Sequence, residues 1–278
     1  FDLSYIMEVL KRSAPYALLV LLMMLYNRTD VVILKQISSD GNYQAGIYAQ
    51  GYRLLDAFYM LGMIFAGLLF PVFSRMIHQQ NKDLMALVQV TGKLLIGGAI
   101  GILFIVNYNG SYILHFIYGD KVDNESITVF YYLMLAFAAM SFNFIFGTLL
   151  TAAGFLKSLN ISALLGVFIS VCSNMYFIPT MGALGCAISA FITQAFVSIV
   201  LVIISARSLQ VYFNIRSMYS FVLYTISLFS IKQLMELKLS AGSALWLDLS
   251  FVLVFAFIFS IIDFNSLRKI WQLKEEAQ

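Results

Sequence analysis

Residues 26–59 read YNRTDVVILKQISSDGNYQAGIYAQGYRLLDAFY. Two apolar stretches flank a short polar turn centred near Gly41, and each stretch carries charge: Arg28 and Asp30 in the first, Arg53 and Asp56 in the second. The pattern predicts two membrane helices forming an antiparallel hairpin. Residues equidistant from the turn then lie at similar depth, which sets Arg28 opposite Asp56 and Asp30 opposite Arg53. At 1.5 Å rise per residue both pairs fall roughly 15 Å below the turn, near the middle of a hydrocarbon core about 30 Å thick. Charge at that depth is costly, and it faces a partner or an aqueous cavity. Two crossed Arg–Asp pairs are therefore expected. They either lock the hairpin or line a solute cavity, and their spacing alone leaves both open.

The rest of the chain fits a membrane setting. Of its 278 residues 61% are hydrophobic and only 11% charged, far less charge than a soluble domain carries, and the mean hydropathy is +0.88. Long apolar runs rather than short alternating ones predict an all-α polytopic bundle and not a β-barrel. The net charge of +3 comes without a basic domain or stacking motif, so nucleic acid is not an expected partner. No HExxH, GxSxG or phosphate-loop motif occurs, and His78 and His115 lie far apart in the sequence, so enzymatic activity is not expected. Cys172 and Cys186 fall in apolar runs without metal-ligand spacing. They read as small buried residues, with no metal or cofactor implied.

Eight spans are predicted, over 14–37, 44–73, 84–107, 127–153, 156–178, 181–206, 217–236 and 243–264. If they alternate in direction, Lys11, Arg12, Arg75, Lys82, Lys157, Arg207, Arg216, Arg268, Lys269 and Lys274 share one side, against Lys35, Lys121 and Lys238 on the other. That asymmetry predicts both ends of the segment to be cytoplasmic. The linker RSLQVYFNIRS (207–217) separates a six-helix unit, residues 1–210, from a terminal helix pair, residues 211–278. The opening FDLSYIMEVLKRSAP has no signal-peptide pattern, and the segment is expected to be part of a longer protein.

Within the spans, Tyr48, Tyr52, Asp56 and Tyr59 fall in an arc of about 80° on a helix. Phenol rings beside a carboxylate suit a wet surface, and aromatic faces pack on sugar rings, although Tyr48 also fits an interfacial aromatic belt. Lys93 lies one turn before Gly97, in a span where Gly97 and Gly101 form a small-xxx-small pair that admits another helix. Too far from a span end to snorkel, Lys93 is expected to face the bundle interior, whereas Lys232 reads as a snorkelling residue. Asn160, Ser170 and Asn174 share a face suited to interhelical hydrogen bonds, and Pro179, Gly182 and Gly185 predict a tight turn between spans five and six.

PYALLVLLMMLYNRTDVVIL (15–34), GIYAQGYRLLDAFYML (46–61) and FPVFSRM (70–76) resemble the start of the second half of polysaccharide transporters. These are lipid-linked oligosaccharide (O-antigen type) flippases of the multidrug/oligosaccharidyl-lipid/polysaccharide exporter superfamily. NMYFIPTMGALGCAISA (174–190) is similar to a further family element, matched at Asn174, Pro179, Gly182, Gly185 and Ala187, with Cys186 in place of a usual Ala. The resemblance covers nearly the whole chain. It implies helices seven to fourteen of a fourteen-helix, two-lobe transporter, whose N-terminal lobe would precede Phe1 in the same chain. It further implies alternating access that passes a polyprenyl-pyrophosphate-linked oligosaccharide across the plasma (inner) membrane through a cationic cavity. Arg28, Arg53 and Lys93 would line that cavity as substrate-binding residues with Tyr48, Tyr52 and Tyr59, and Asp30 or Asp56 would carry a coupling proton or sodium ion. Membrane lipids and the glycan polymerase and glycosyltransferases of surface-polysaccharide synthesis are the implied partners. The alternatives are a multidrug or lipid II exporter of the same superfamily, or a non-transporting scaffold of a glycan assembly complex.

Overall fold

The computed structural model describes residues 3–81, 83–236, 244–259 and 261, and the described residues contain helices and no strand. Lys82, Lys238, Asp263, Arg268, Lys269 and Lys274, with the expected cytoplasmic C-terminus, lie outside the described residues. The helices are α1 (Leu3–Ile37), α2 (Gly41–His78), α3 (Leu84–Tyr118), α4 (Asn124–Phe142), α5 (Thr148–Ala152), α6 (Leu156–Ser208), α7 (Ile215–Glu236) and α8 (Ala244–Ile258). A π-helical turn, Asn143–Gly147, joins α4 to α5 without a break in direction. Five stretches are long and apolar enough to cross a membrane: 5–37, 41–78, 84–121, 124–152 and 156–208. α7 and α8 contribute shorter apolar helices, Ser217–Ser230 and Leu245–Ile258.

The 53 residues of α6 would reach about 80 Å as one rod. They do not form one. Gly182 adopts φ 55°, ψ −128°, backbone that favours glycine because it lacks Cβ. Gly166 then lies against Val197, and Gly185 against the Phe177 carbonyl, so the two arms of α6 run antiparallel. The Gln44 side chain of α2 stabilises the reversal: its Oε1 accepts the Ala183 N–H at 2.5 Å, the first free donor of the second arm.

The turns collect at two ends. At one, Gly41 starts α2 so close to the Lys35 carbonyl that a side chain would not fit. Tyr43 donates from its hydroxyl to Asp123 at 2.8 Å, Gln44 Nε2 to Glu125 at 3.4 Å, and Gln50 Nε2 to the Lys121 carbonyl at 3.1 Å. These bonds tie the α1–α2 turn to the α3–α4 loop. Burial pushes Asp123 upward, but the Ser126 N–H, the Ser126 hydroxyl and the Tyr43 hydroxyl outweigh it and hold the carboxyl below its ordinary range. The turns following α2, α5 and α6 lie at the opposite end.

Two apolar cores stack between these ends. One, around Leu34, Tyr48, Leu133 and Ala183, lies toward the Gly41 end; the other surrounds Leu22, Phe73, Phe146 and Leu201. A third, around Phe104, Tyr224 and Ala256, seats α7 and α8 on α3. There Gly97 and Gly101 admit Ile261 and Val252 at van der Waals range, so the small-residue stripe has a partner. The connection after α6 is more apolar in its role than its composition suggests: Val211 is buried, and Phe213 packs edge-on against Phe142, Phe146 and Phe221.

Three expectations require correction. The first span, expected over 14–37, starts earlier: α1 begins at Leu3 and carries Pro15 inside it. Cys172 is exposed on the outer surface of α6. Lys232 does not snorkel: its Nζ donates to both carboxylate oxygens of Asp248 at 2.8 Å. It also lies 5.2 Å from the Tyr108 ring centroid, and Asn109 Nδ2 donates to Asp248 at 2.7 Å. Lys232 is 8% exposed and Asp248 1%, which makes the pair part of the α3–α7–α8 interface.

Candidate functional site

The charged residues of α1 and α2 separate into two arrangements. Arg28 projects from α1 toward α2, where its two terminal nitrogens donate to the two oxygens of Asp56 at 3.0 and 3.3 Å. The fork geometry suits a carboxylate. Its guanidinium stands 5.3 Å from the Tyr52 ring centroid, and Tyr52 is held by its hydroxyl donating to the Asn27 carbonyl at 2.6 Å. The Arg28 side chain is 62% exposed and that of Asp56 30%, so the pair forms part of a surface.

Asp30 is arranged differently. The crossed-pair expectation fails for it, because Arg53 points outward, is exposed, and forms no ion pair with a described residue. Asp30 lies two residues beyond Arg28, about 200° around the helix, and is therefore carried to the α6 side. It is 2% exposed. Its Oδ1 accepts from Asn174 Nδ2 at 2.7 Å and Ser170 Oγ at 3.1 Å. The hydrogen-bonding face read from Asn160, Ser170 and Asn174 is thus occupied, with Asn160 donating to the Pro15 carbonyl at 3.0 Å. Neutral donors alone hold the Asp30 carboxyl. Beside it the Tyr48 hydroxyl and the Asn174 carbonyl oxygen are buried without a hydrogen bond.

The tyrosine face is graded in depth. Tyr48 is fully buried and stacks on Tyr52 at 5.3 Å, so it supports the surface from beneath and does not form part of it in this conformation. Tyr52 and Tyr59 are half-buried, and Tyr59 packs on Phe144 of the π turn at 5.4 Å. Lys93 is half-buried on α3 beside Gly92, which abuts Phe213, and no ion pair among the described residues engages it.

Sequence reasoning missed a chain of amides next to this surface. Gln194 Nε2 donates to Asn27 Oδ1 at 2.7 Å, Asn143 Nδ2 to Gln194 Oε1 at 3.0 Å, and Ser198 Oγ to Asn143 Oδ1 at 2.9 Å. The relay links α1, the π turn and the second arm of α6. π turns recur at functional positions because the extra residue re-aims side chains, and here one begins at Asn143. The legible signal was a lone amide inside an apolar run, Gln194 in FITQAFVSIV. Below the relay, on the side away from the Gly41 end, lies a cavity of about 290 Å³ between α1, α2, α5 and α6.

These features define the class: an all-helical bundle that holds ionisable and amide side chains inside helices long and apolar enough to cross a membrane. Neither models of known protein families nor curated proteins match the sequence.

Proposed function

We propose that the chain is the C-terminal half of a membrane flippase that moves polyprenyl-pyrophosphate-linked oligosaccharide units across the plasma membrane by alternating access. In this reading the two arms of α6 are separate crossings, α7 and α8 complete eight spans, and both ends are cytoplasmic. A facing lobe closes the cavity over the exposed side of α1 and α2. The observation that carries the proposal is the pair of exposed cations within the long helices: Arg53, without a carboxylate partner among the described residues, and Arg28, oriented by Asp56 and Tyr52. Cations at that depth are costly against lipid but suit an aqueous path for an anionic substrate. Arg53 keeps its full field there, whereas Asp56 offsets that of Arg28. Asp30, held by neutral groups on α6, is the better coupling-ion carrier of the two aspartates. The neighbouring cavity favours a transporter over a scaffold, which needs none.

The test is glycan export by the full-length protein. Arg53→Gln with Arg28→Gln is expected to lower surface polysaccharide at least tenfold and to accumulate lipid-linked oligosaccharide, at unchanged membrane levels of the protein. Normal export by the double variant would overturn the proposal.

A further inference from the structure

The cavity beneath the Arg28–Asp56 pair is nearly all hydrocarbon. Leu19 and Met23 of α1, Met63 and Phe70 of α2, and Leu159 and Leu201 of α6 supply most of its wall. Three hydroxyls that border it are occupied: Thr148 donates to the Phe144 carbonyl at 2.7 Å, Thr151 to the Gly147 carbonyl at 2.7 Å, and Ser162 to the Ser158 carbonyl at 2.8 Å, whereas those of Tyr26 and Tyr59, which also line it, make no described hydrogen bond. In the amide relay the carbonyl oxygens of Asn27, Gln194 and Asn143 are all engaged. A ligand is therefore offered hydrocarbon and, at one end, the amide nitrogen of Asn27 with the hydroxyls of Tyr26 and Tyr59. That end adjoins charge, because Asn27 precedes Arg28 and Tyr59 lies one turn from Asp56 along α2. An occupant that satisfies both ends is an amphiphile with a negative head and an apolar chain. Pockets of about 300 Å³ lie at the lower limit for small ligands, which admits a short segment of a chain and not its full length.

Building on the proposed function, we propose that this cavity seats the phosphate-proximal isoprene units of a polyprenyl phosphate. The phosphate meets the exposed edge of Arg28, with Arg53 less than two turns from Tyr59 on the same helix. Charge complementarity selects an anionic head, and the exposed Met63, Gly67 and Phe70 leave the cavity open along α2 for the remaining chain. The cavity belongs to the half of the bundle away from the Gly41 end. In the proposed orientation that half lies in the cytoplasmic leaflet, where a lipid-linked substrate begins.

Gly67 permits a clean test. It borders the cavity, and a Cβ there meets no atom within 4 Å, so Gly67→Leu fills space without a clash and favours the helix. Gly98 on α3 is equally open and exposed, which makes Gly98→Leu the control. The full-length protein in nanodiscs is irradiated with a polyprenyl phosphate bearing a diazirine near its phosphate, and separately with a phosphatidylglycerol bearing one on its acyl chain. Labelled residues are then mapped by mass spectrometry. The polyprenyl probe is expected to label Met23 and Met63, to lose at least fivefold in Gly67→Leu, and to be unchanged in Gly98→Leu. The phosphatidylglycerol probe should label them at least fivefold less. Equal labelling by both probes would identify an ordinary bilayer lipid and overturn the proposal, as would absent labelling or labelling unaffected by Gly67→Leu. The probe carries no sugar, so labelling is scored apart from export. Cavity labelling combined with normal export by the Arg28 and Arg53 variants would overturn only the flippase reading.

Discussion

Asp30 and Asp248 show how differently an apolar helix tolerates a buried carboxylate. Asp248 has a lysine at 2.8 Å through two oxygens, an amide at 2.7 Å and an aromatic face across from the lysine. Asp30 has an amide and a hydroxyl. Removing one member of a buried ion pair strands the other and costs roughly 3–5 kcal/mol. Lys232→Met should therefore destabilise the purified protein by that order, and adding Asp248→Leu should recover most of the loss. Asp30 and Arg53 share no contact, so their effects should add to within about 0.5 kcal/mol. Both double-mutant cycles are measured by unfolding in one detergent. A coupling for Asp30–Arg53 as large as that for Lys232–Asp248 would contradict the separation described above.

At the scale of elements, the reversal in α6 decides what α1 packs against. It brings Asn174 of the first arm to Asp30 and Gln194 of the second arm to Asn27, so these two contacts of α1 come from arms joined at one glycine. A side chain at φ +55°, ψ −128° costs about 1–3 kcal/mol from backbone strain, and at Gly182 it would also displace Gln44 from the Ala183 N–H. Gly154 has a similar φ of 78° but open space around it. Gly182→Ala should thus lower stability by more than Gly154→Ala, the difference being on the order of the lost capping bond, about 1 kcal/mol. Equal thermal shifts for the two variants would show that Gln44 contributes nothing to the turn.

For the whole molecule, the Gly41 turn, the Asp120–Ser126 loop and the Gly182 reversal share one end, and the turns after α2, α5 and α6 share the other. The proposed orientation sets the first end outside. Single cysteines at positions 40, 120 and 181 should then react with a membrane-impermeant maleimide on intact cells, and cysteines at 79, 155 and 210 only after permeabilisation. Labelling at 79 without labelling at 120 would invert the topology.

How much of this was legible in the sequence depends on the range of the interaction. Helix type and the approximate positions of the long apolar segments follow from composition and run length, which act locally, and so does the Gly41 hairpin. Its register set Arg28 opposite Asp56 because equal arc lengths from one turn give equal depth. The same arithmetic misassigned Asp30, since register gives depth but not direction around the helix. Asp30 faces α6, some 140 residues away in sequence, where an amide and a hydroxyl were already positioned. Lys232 was misread for a related reason: near a helix end a lysine is free to snorkel, unless another helix brings it a carboxylate, as α8 does. Hydropathy and charge along the chain thus determined which segments become apolar helices. Only tertiary packing decided which polar group answers which, because a buried charge or amide is satisfied by whatever donor the fold brings within 3 Å, and nothing in local sequence encodes that neighbour.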